Sequence, residues 1–144
     1  MNIALKEAKA AESRGEVPIG AVVVDANSGD IIAQAGNQTE ADLDPTAHAE
    51  ILAIRLAAQK LGSARLPECD LYVTLEPCTM CATAISFARI RRLYFGAYDS
   101  KGGGVDHGAR FFTQPTCHHT PEVYGGIRER DCADLLKTFF AKKR

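Results

Sequence analysis

The sequence predicts an α/β fold, and three observations support this. Two strand-like segments flank a turn that contains Asn and Gly, which is typical of a β-hairpin. Further along the chain, a strand pattern, a helix pattern and a second strand pattern follow one another, which predicts a parallel crossover. The 144 residues are the usual size of one domain and contain no internal repeat or long linker. We therefore expect residues 1–144 to form a single domain.

The first half of the chain is predicted to form a helix, a hairpin and a second helix. Apolar residues recur at helical spacing over residues 2–14, and the hairpin strands cover residues 19–24 and 31–35. Asp44-Pro45-Thr46 indicates the start of the second helix, because Asp and Thr cap free amides and Pro is tolerated in a first turn. This helix, over residues 47–61, is apolar nearly all the way round. Such a helix suits burial on two sides, one of them against a partner subunit.

The second half begins with the strand-helix-strand pattern. A near-continuous apolar strand is predicted over residues 71–75, a helix over 78–88 and another strand over 93–97. After Asp99 the chain is rich in glycine and irregular as far as a short edge strand over residues 122–124. A last helix then places four apolar residues on one face: Leu135, Leu136, Phe139 and Phe140.

Composition and charge exclude several classes of protein. The chain is 46% hydrophobic and 24% charged, which is typical of a globular protein rather than a disordered one. Its formal charge of −1 provides no global positive field, so a polyanionic partner must be contacted locally. No stretch approaches the roughly 18 apolar residues that span a bilayer. Five cysteines, an odd number, favour metal or redox chemistry in a reducing cytoplasm over disulfides.

Three residues have the types and spacing of a metal site. His48 stands near the predicted start of the second helix, and Cys78 and Cys81 stand at the start of the third. Residues three apart on a helix share a face, so the two sulfurs can converge on one ion. A helix N-terminus also favours the thiolate. One imidazole and two thiolates are the ligand count of a catalytic zinc site, with the fourth position left for water.

Glu50 is the candidate catalytic residue. Water near a zinc ion still needs a positioned group to take and return protons, and a carboxylate is suited to this. Residues i and i+2 of a regular helix point in nearly opposite directions. His48 and Glu50 therefore face one cavity only if His48 lies in or before the first helical turn, as the Asp44-Pro45-Thr46 signal indicates.

Each part of this pattern has a plainer interpretation when taken alone. A CxxC pair is usually a redox pair or half of a structural zinc site, and an HxE triplet arises often by chance. Here the two occur in order, each at a predicted helix start, and the second directly follows an apolar strand. Together they match the signature of the zinc deaminases.

The chain resembles the bacterial tRNA adenosine deaminases that make wobble inosine, within the cytidine deaminase superfamily. The similarity runs over nearly the whole chain. It rests on residues 16–22 (EVPIGAV), 36–37 (GN), 44–51 (DPTAHAEI), 71–81 (LYVTLEPCTMC) and 95–97 (FGA). The resemblance implies a three-layer α/β/α sandwich around a mixed five-stranded sheet. It also implies one zinc ion per subunit and a homodimer whose active sites lie near the interface.

The resemblance also implies roles for individual residues. His48, Cys78 and Cys81 would be the zinc ligands and Glu50 the proton carrier. Asn37 would hydrogen-bond the base or its sugar, although it could instead form a turn after Gly36. The other implied substrate contacts are a wall of the base pocket at Ala49, a backbone strip at Leu75, Glu76 and Pro77, and outer contacts at Asp99, Lys101 and Phe140. Asp99 could instead cap the loop that follows it.

The implied reaction is the hydrolytic deamination of adenosine to inosine in a tRNA anticodon loop. Unpaired loop bases can be turned out of their stack at low cost, which suits an enzyme of this kind. Two alternatives stay open at this point. The chain could deaminate a free base or nucleoside of the guanine or cytosine type with the same zinc machinery. It could also be a non-catalytic zinc module that binds RNA.

Overall fold

The computed structural model describes all residues, 1–144, and contains four α-helices and five strands. In chain order they are α1 (Asn2–Ser13), β1 (Gly20–Asp25), β2 (Ile31–Gly36), α2 (Ala49–Leu61), β3 (Cys69–Leu75), α3 (Thr79–Phe87), β4 (Arg92–Ala97), β5 (Glu122–Tyr124) and α4 (Glu129–Lys143). A 3₁₀ turn at Phe111–Thr113 lies in the glycine-rich stretch after β4, where the sequence predicted no regular structure.

The five strands form one mixed sheet in the order β2-β1-β3-β4-β5. β1 pairs with β2 and with β3 in antiparallel fashion, whereas β3, β4 and β5 are parallel to one another. The predicted hairpin is β1–β2, and the predicted crossover is β3-α3-β4. The mixed five-stranded sheet of the predicted α/β fold is confirmed.

Helices cover both faces of the sheet. α2 and α3 pack through Ala53 and Ile85 onto one face, where the main apolar core includes Val23, Leu71 and Phe95. α1 and α4 cover the other face. Glycines make this second contact close, because a Cβ at Gly20 would collide with the backbone of α1, and one at Gly96 with Cys132 of α4. The three layers are therefore helices, sheet and helices, as predicted.

Two helix starts differ from the sequence prediction, and both differences concern the site. α2 begins at Ala49 rather than residue 47, and His48 is its N-cap with an extended backbone. Asp44 does not cap the helix, because its carboxylate accepts the backbone N–H and the hydroxyl of Thr46 and closes a tight turn instead. α3 begins at Thr79, and Cys78 is its N-cap.

The last helix forms as predicted, but its four apolar residues are not equally buried. Phe139 is buried, and Phe140 beside it is 46% exposed. Leu135 packs on a small second cluster that contains Leu5 and Cys132, which joins α4 to α1. None of the helices combines the length and the apolar character that crossing a membrane would require.

Candidate metal centre and active site

The structure brings His48, Cys78 and Cys81 together at the starts of α2 and α3. Their ligand atoms all lie within 4.8 Å of one another. Nδ1 of His48 is 3.6 Å from Sγ of Cys78 and 3.4 Å from Sγ of Cys81. A tetrahedral zinc ion with ordinary bond lengths would hold its nitrogen and sulfur ligands about 3.6 Å apart. Both nitrogen–sulfur distances are therefore close to those that a zinc ion requires.

The electrostatics of this trio favour metal binding. A hydrogen bond with the Cys81 side chain lowers the pKa of the Cys78 thiol to about 4, and His48 adds to this effect. The pKa of Cys81 is raised, first by Cys78 and then by burial. Hydrogen bonding with Cys78 raises the pKa of His48. At neutral pH one sulfur is thus already a thiolate, which is the form that binds metals.

Glu50 lies beside the three donors in the first turn of α2. Its side chain is buried, and Oε2 has no hydrogen-bond partner, the sole buried side-chain oxygen or nitrogen in that state. Burial raises the pKa of Glu50 to about 7, while Cys78 and His48 lie near enough to influence it. Because His48 precedes the helix, both side chains reach the same site, as the sequence predicted. A carboxyl with a pKa near neutrality can accept and release a proton.

Asn37 and Ala49 are linked directly. Oδ1 of Asn37 accepts the backbone N–H of Ala49 at 2.8 Å and so satisfies one free amide at the start of α2. The Asn37 side chain therefore ties the end of β2 to the helix that carries Glu50, and its Nδ2 makes no hydrogen bond. The side chain of Ala49 is fully buried in the main apolar core, so its backbone rather than its methyl group faces Asn37.

The strip Leu75-Glu76-Pro77 joins the end of β3 to the first cysteine. The backbone N–H of Glu76 donates to the carbonyl of Ala97 at 2.8 Å, and the Pro77 carbonyl accepts the N–H of Gly104, also at 2.8 Å. The Glu76 carboxylate is fully buried, and it accepts a hydrogen bond from the imidazole of His107. Only Leu75 is partly exposed.

The outer residues of the predicted substrate site divide into two groups. Leu75, Asp99 and Phe140 line one largely apolar cavity of about 300 Å³ between the sheet and α4. Lys101 is exposed and is not part of this lining. Oδ1 of Asp99 accepts the backbone N–H groups of Lys101 and Gly102, so Asp99 does cap the loop that follows it.

Sequence reasoning missed two residues that support the site. The Glu16 carboxylate, which is 1% exposed, accepts the backbone N–H groups of Glu40 and Ala41 and thereby holds the loop before α2. His107 is the partner of Glu76. Neither has a local signal in the sequence, because both act on segments that lie far away along the chain.

Comparisons with known proteins agree with this geometry. Residues 1–97 match a family described as the cytidine and deoxycytidylate deaminase zinc-binding region. The tRNA-specific adenosine deaminase of Agrobacterium fabrum (strain C58 / ATCC 33970) is 61% identical over 144 residues, which are 100% of this chain and 93% of that protein.

The chain belongs to the tRNA-specific adenosine deaminase family.

Two further comparisons extend this result for the deaminase. The tRNA-specific adenosine deaminase of Bacillus subtilis (strain 168) is 45% identical over 100% of this chain and 88% of its own length. A solved structure from a study of A-to-I editing by tRNA:A34 deaminases at the wobble position of transfer RNA is 62% identical. It superposes with a TM-score of 0.92 and covers 94% of this chain and 97% of its own.

More distant deaminases share the fold. A guanine deaminase from Nitrosomonas europaea is 25% identical, with a TM-score of 0.85, and covers 97% of this chain and 82% of its own. A guanine deaminase from Bacillus subtilis is 32% identical, with a TM-score of 0.66, and covers 99% of this chain and 90% of its own. Zinc is the metal of the family, and the imidazole and two sulfurs of the deaminase fit it.

Proposed function

We propose that this chain catalyses the hydrolytic deamination of adenosine to inosine at the wobble position of a tRNA anticodon. One observation carries the proposal. A buried carboxyl group with one unpartnered oxygen lies beside three converging metal donors, in a chain that is 61% identical to a tRNA-specific adenosine deaminase over its whole length. The site joins a proton carrier to a metal-binding set with three ligands, which is the composition of a hydrolytic zinc site.

His48, Cys78 and Cys81 would hold the zinc ion. When bound, zinc supplies the positive charge that makes a water molecule nucleophilic at neutral pH. The group has three donors, and no fourth Cys, His, Asp or Glu belongs to it. A structural zinc site would normally have four protein ligands. This composition favours catalysis over the alternative of a non-catalytic zinc module.

Glu50 would carry the protons of the reaction. It takes one proton from the attacking water as a C–O bond forms at C6 of adenine, and it delivers that proton to ring N1. The second water proton then passes through Glu50 to the N6 amino group. The C6–N6 bond breaks, ammonia leaves, and the base is hypoxanthine. A carboxyl group whose pKa is about 7 serves both directions of transfer.

Asn37 would hold the base or its sugar. Its Oδ1 already accepts the Ala49 N–H, whereas its Nδ2 makes no hydrogen bond within the chain, so Nδ2 is the group left free to donate to the substrate. An acceptor atom of the nucleoside is therefore the expected partner. The backbone of Ala49 would form the back of the base pocket, and the strip Leu75-Glu76-Pro77 would lie along the opposite side.

The flanking nucleotides would occupy the outer part of the site. The cavity lined by Leu75, Asp99 and Phe140 is large enough for part of a nucleotide, and the ring of Phe140 is exposed for stacking. Lys101 and the basic end of α4, from Lys142 to Arg144, would contact phosphates. Because the whole chain has a charge of only −1, these local contacts must supply the attraction to RNA.

The test compares four substrates with the purified zinc-loaded protein. They are a tRNA with adenosine at the wobble position, the same tRNA with guanosine there, free guanine and free cytidine. We expect inosine at the wobble position of the first tRNA and no ammonia from the other three. Ammonia from guanine or cytidine, with no inosine in tRNA, would instead support the free-base alternative that the guanine deaminase structures represent.

The chain is further proposed to act as a homodimer of single-domain subunits, each comprising residues 1–144, in the cytoplasm. The outer faces of α2 and α3 support a dimer because they are apolar. Both helices also begin at the metal centre. Ile51, Ile54 and Phe87 line an apolar cavity of about 320 Å³ there, and Phe87 is 65% exposed. A contiguous group of apolar side chains at the surface is typical of a site of protein–protein contact. A second copy on these helices would place the interface close to the active site.

A further inference from the structure

The Glu76 carboxylate is fully buried, close along the chain to the metal donor Cys78. It lies between the end of β3 and Cys78, two residues before the first sulfur donor. Its side chain has no exposed surface. The imidazole of His107 is its sole side-chain partner, with Nδ1 at 2.8 Å from Oε1 and 3.2 Å from Oε2. A carboxylate only accepts hydrogen bonds, so Nδ1 is the donor.

His107 belongs to a loop that folds onto the start of α3. The N–H of Gly104 donates to the Pro77 carbonyl, and the carbonyl of Gly104 accepts the N–H of Phe111 at 2.9 Å. Glycine is required at two positions of this loop because its backbone lies very close to Glu76 and Thr79. A Cβ at Gly103 would overlap the Glu76 carboxylate, and one at Gly104 would collide with the backbone of Thr79. The loop therefore contacts the chain on both sides of Cys78.

The imidazole is the outermost part of this arrangement. The His107 side chain is 37% exposed, and its ring meets the Tyr98 ring edge to face, with 6.3 Å between the centroids. Beneath it, Glu76 is attached to β4 through the Ala97 carbonyl. The His107–Glu76 hydrogen bond thus joins the loop to the strip that leads to the metal donor. Without it, a buried carboxylate would lose the one side chain that satisfies it.

We propose that His107 is a positioning residue of the deaminase, which acts through Glu76 to fix the strip Leu75-Glu76-Pro77 beside the reacting base. This inference rests on the proposed function. A displacement of about 1 Å at a reacting centre lowers rates by about 100-fold. Binding of a whole tRNA, by contrast, is spread over many contacts. Loss of the hydrogen bond should therefore lower kcat far more than it raises KM for tRNA.

Two substitutions at position 107 test the proposal. His107→Phe keeps a ring but removes the donor, whereas His107→Asn places an amide N–H where Nδ1 stood. We expect His107→Phe to lower kcat at least about 10-fold, with KM for tRNA changed by less than about 3-fold and one zinc ion still bound per chain. His107→Asn should recover most of kcat. His118→Phe, on an exposed histidine outside the site, is the matched control.

Several outcomes would overturn the proposal. It fails if His107→Phe keeps the wild-type kcat, or if His107→Asn is as slow as His107→Phe. If His107→Phe does not fold, the double variant Glu76→Gln/His107→Phe removes the unpaired charge as well. We expect that variant to fold, to bind zinc and to remain slow, and a wild-type kcat there would contradict the role of the link. Failure of the proposed function is distinct, because the wild-type protein itself would then make no inosine in tRNA.

Discussion

The side-chain oxygen of Asn37 accepts a hydrogen bond from the backbone N–H of Ala49, 2.8 Å away and twelve residues further along the chain. Asn37 thereby satisfies a free amide at the start of α2 from outside the helix. Because Glu50 directly follows Ala49, the same hydrogen bond fixes the position of the Asn37 amide relative to Glu50. The side chain serves two purposes through two different atoms, since Oδ1 supports the helix and Nδ2 is left for the substrate. Single substitutions can separate them.

Asn37→Asp and Asn37→Ala should differ from each other in stability, but both should lose activity. Asp keeps an oxygen that can accept the Ala49 N–H at a helix N-terminus, where negative charge is favourable. We expect its free energy of unfolding to stay close to wild type. Ala removes the acceptor and should lower stability by about 1 kcal/mol. Both lack the Nδ2 donor and should lower kcat/KM for tRNA by about 10-fold or more. Equal activity of Asp and wild type would argue against a substrate contact.

Glu50→Gln should separate catalysis from metal binding. We expect full zinc occupancy and a loss of kcat of about 10² to 10⁴, the usual contribution of general acid–base catalysis. Since Oε2 is buried without a partner, removal of the charge should leave the melting temperature unchanged or raise it. Glu68→Gln, on an exposed residue near the other end of β3, is the control. Retained turnover in the zinc-loaded Gln variant would remove Glu50 from the mechanism.

Removal of the metal should affect both activity and stability. Treatment with a chelator should abolish deamination, and zinc should restore it. It should also lower the melting temperature, because an ion that binds only the folded chain stabilises it. Cys78→Ser and Cys81→Ser should not retain zinc on dialysis, whereas Cys117→Ser should retain one ion per chain. Undiminished editing by protein shown to be free of metal would contradict the zinc assignment.

Phe87→Glu should convert the proposed dimer to a monomer. The side chain is 65% exposed on α3, so the folded subunit should tolerate the change, while a charge in an apolar interface should prevent association. Sedimentation velocity over a range of concentrations measures the outcome. Ile31→Glu, at an exposed apolar residue at the start of β2, should remain dimeric. A wild-type protein that stays monomeric at high concentration would contradict the dimer.

Sequence reasoning succeeded where the determining interactions are local. His48, Cys78 and Cys81 stand at helix starts marked by short-range patterns, and the structure places all three donors together. The crossover β3-α3-β4 was predicted because a strand pattern, a helix pattern and a second strand pattern follow one another along the chain. Two strand-like segments on either side of a turn that contains Asn and Gly were sufficient to predict β1 and β2.

It failed where one segment is held by a distant one. Asp44 has the features of an N-cap, but its carboxylate closes a turn onto Thr46, and α2 begins two residues later than predicted, at Ala49, whose N–H donates to Asn37 after the end of β2. Glu76 was considered for its backbone, and nothing near it in the sequence indicates that a histidine thirty-one residues later satisfies its carboxylate. Such pairings depend on how loops fold over the sheet. The local spacing of apolar residues, which predicts helices and strands, contains no information about them.

The division of the metal donors between two helices has a consequence during synthesis on the ribosome. His48 precedes Cys78 by thirty positions, and the intervening segment includes β3, which pairs with β1 in the sheet. A nascent chain therefore cannot assemble the centre until residues beyond Cys81 have emerged. A ribosome stalled before that point would carry the imidazole of His48 without the two sulfurs that complete the metal centre.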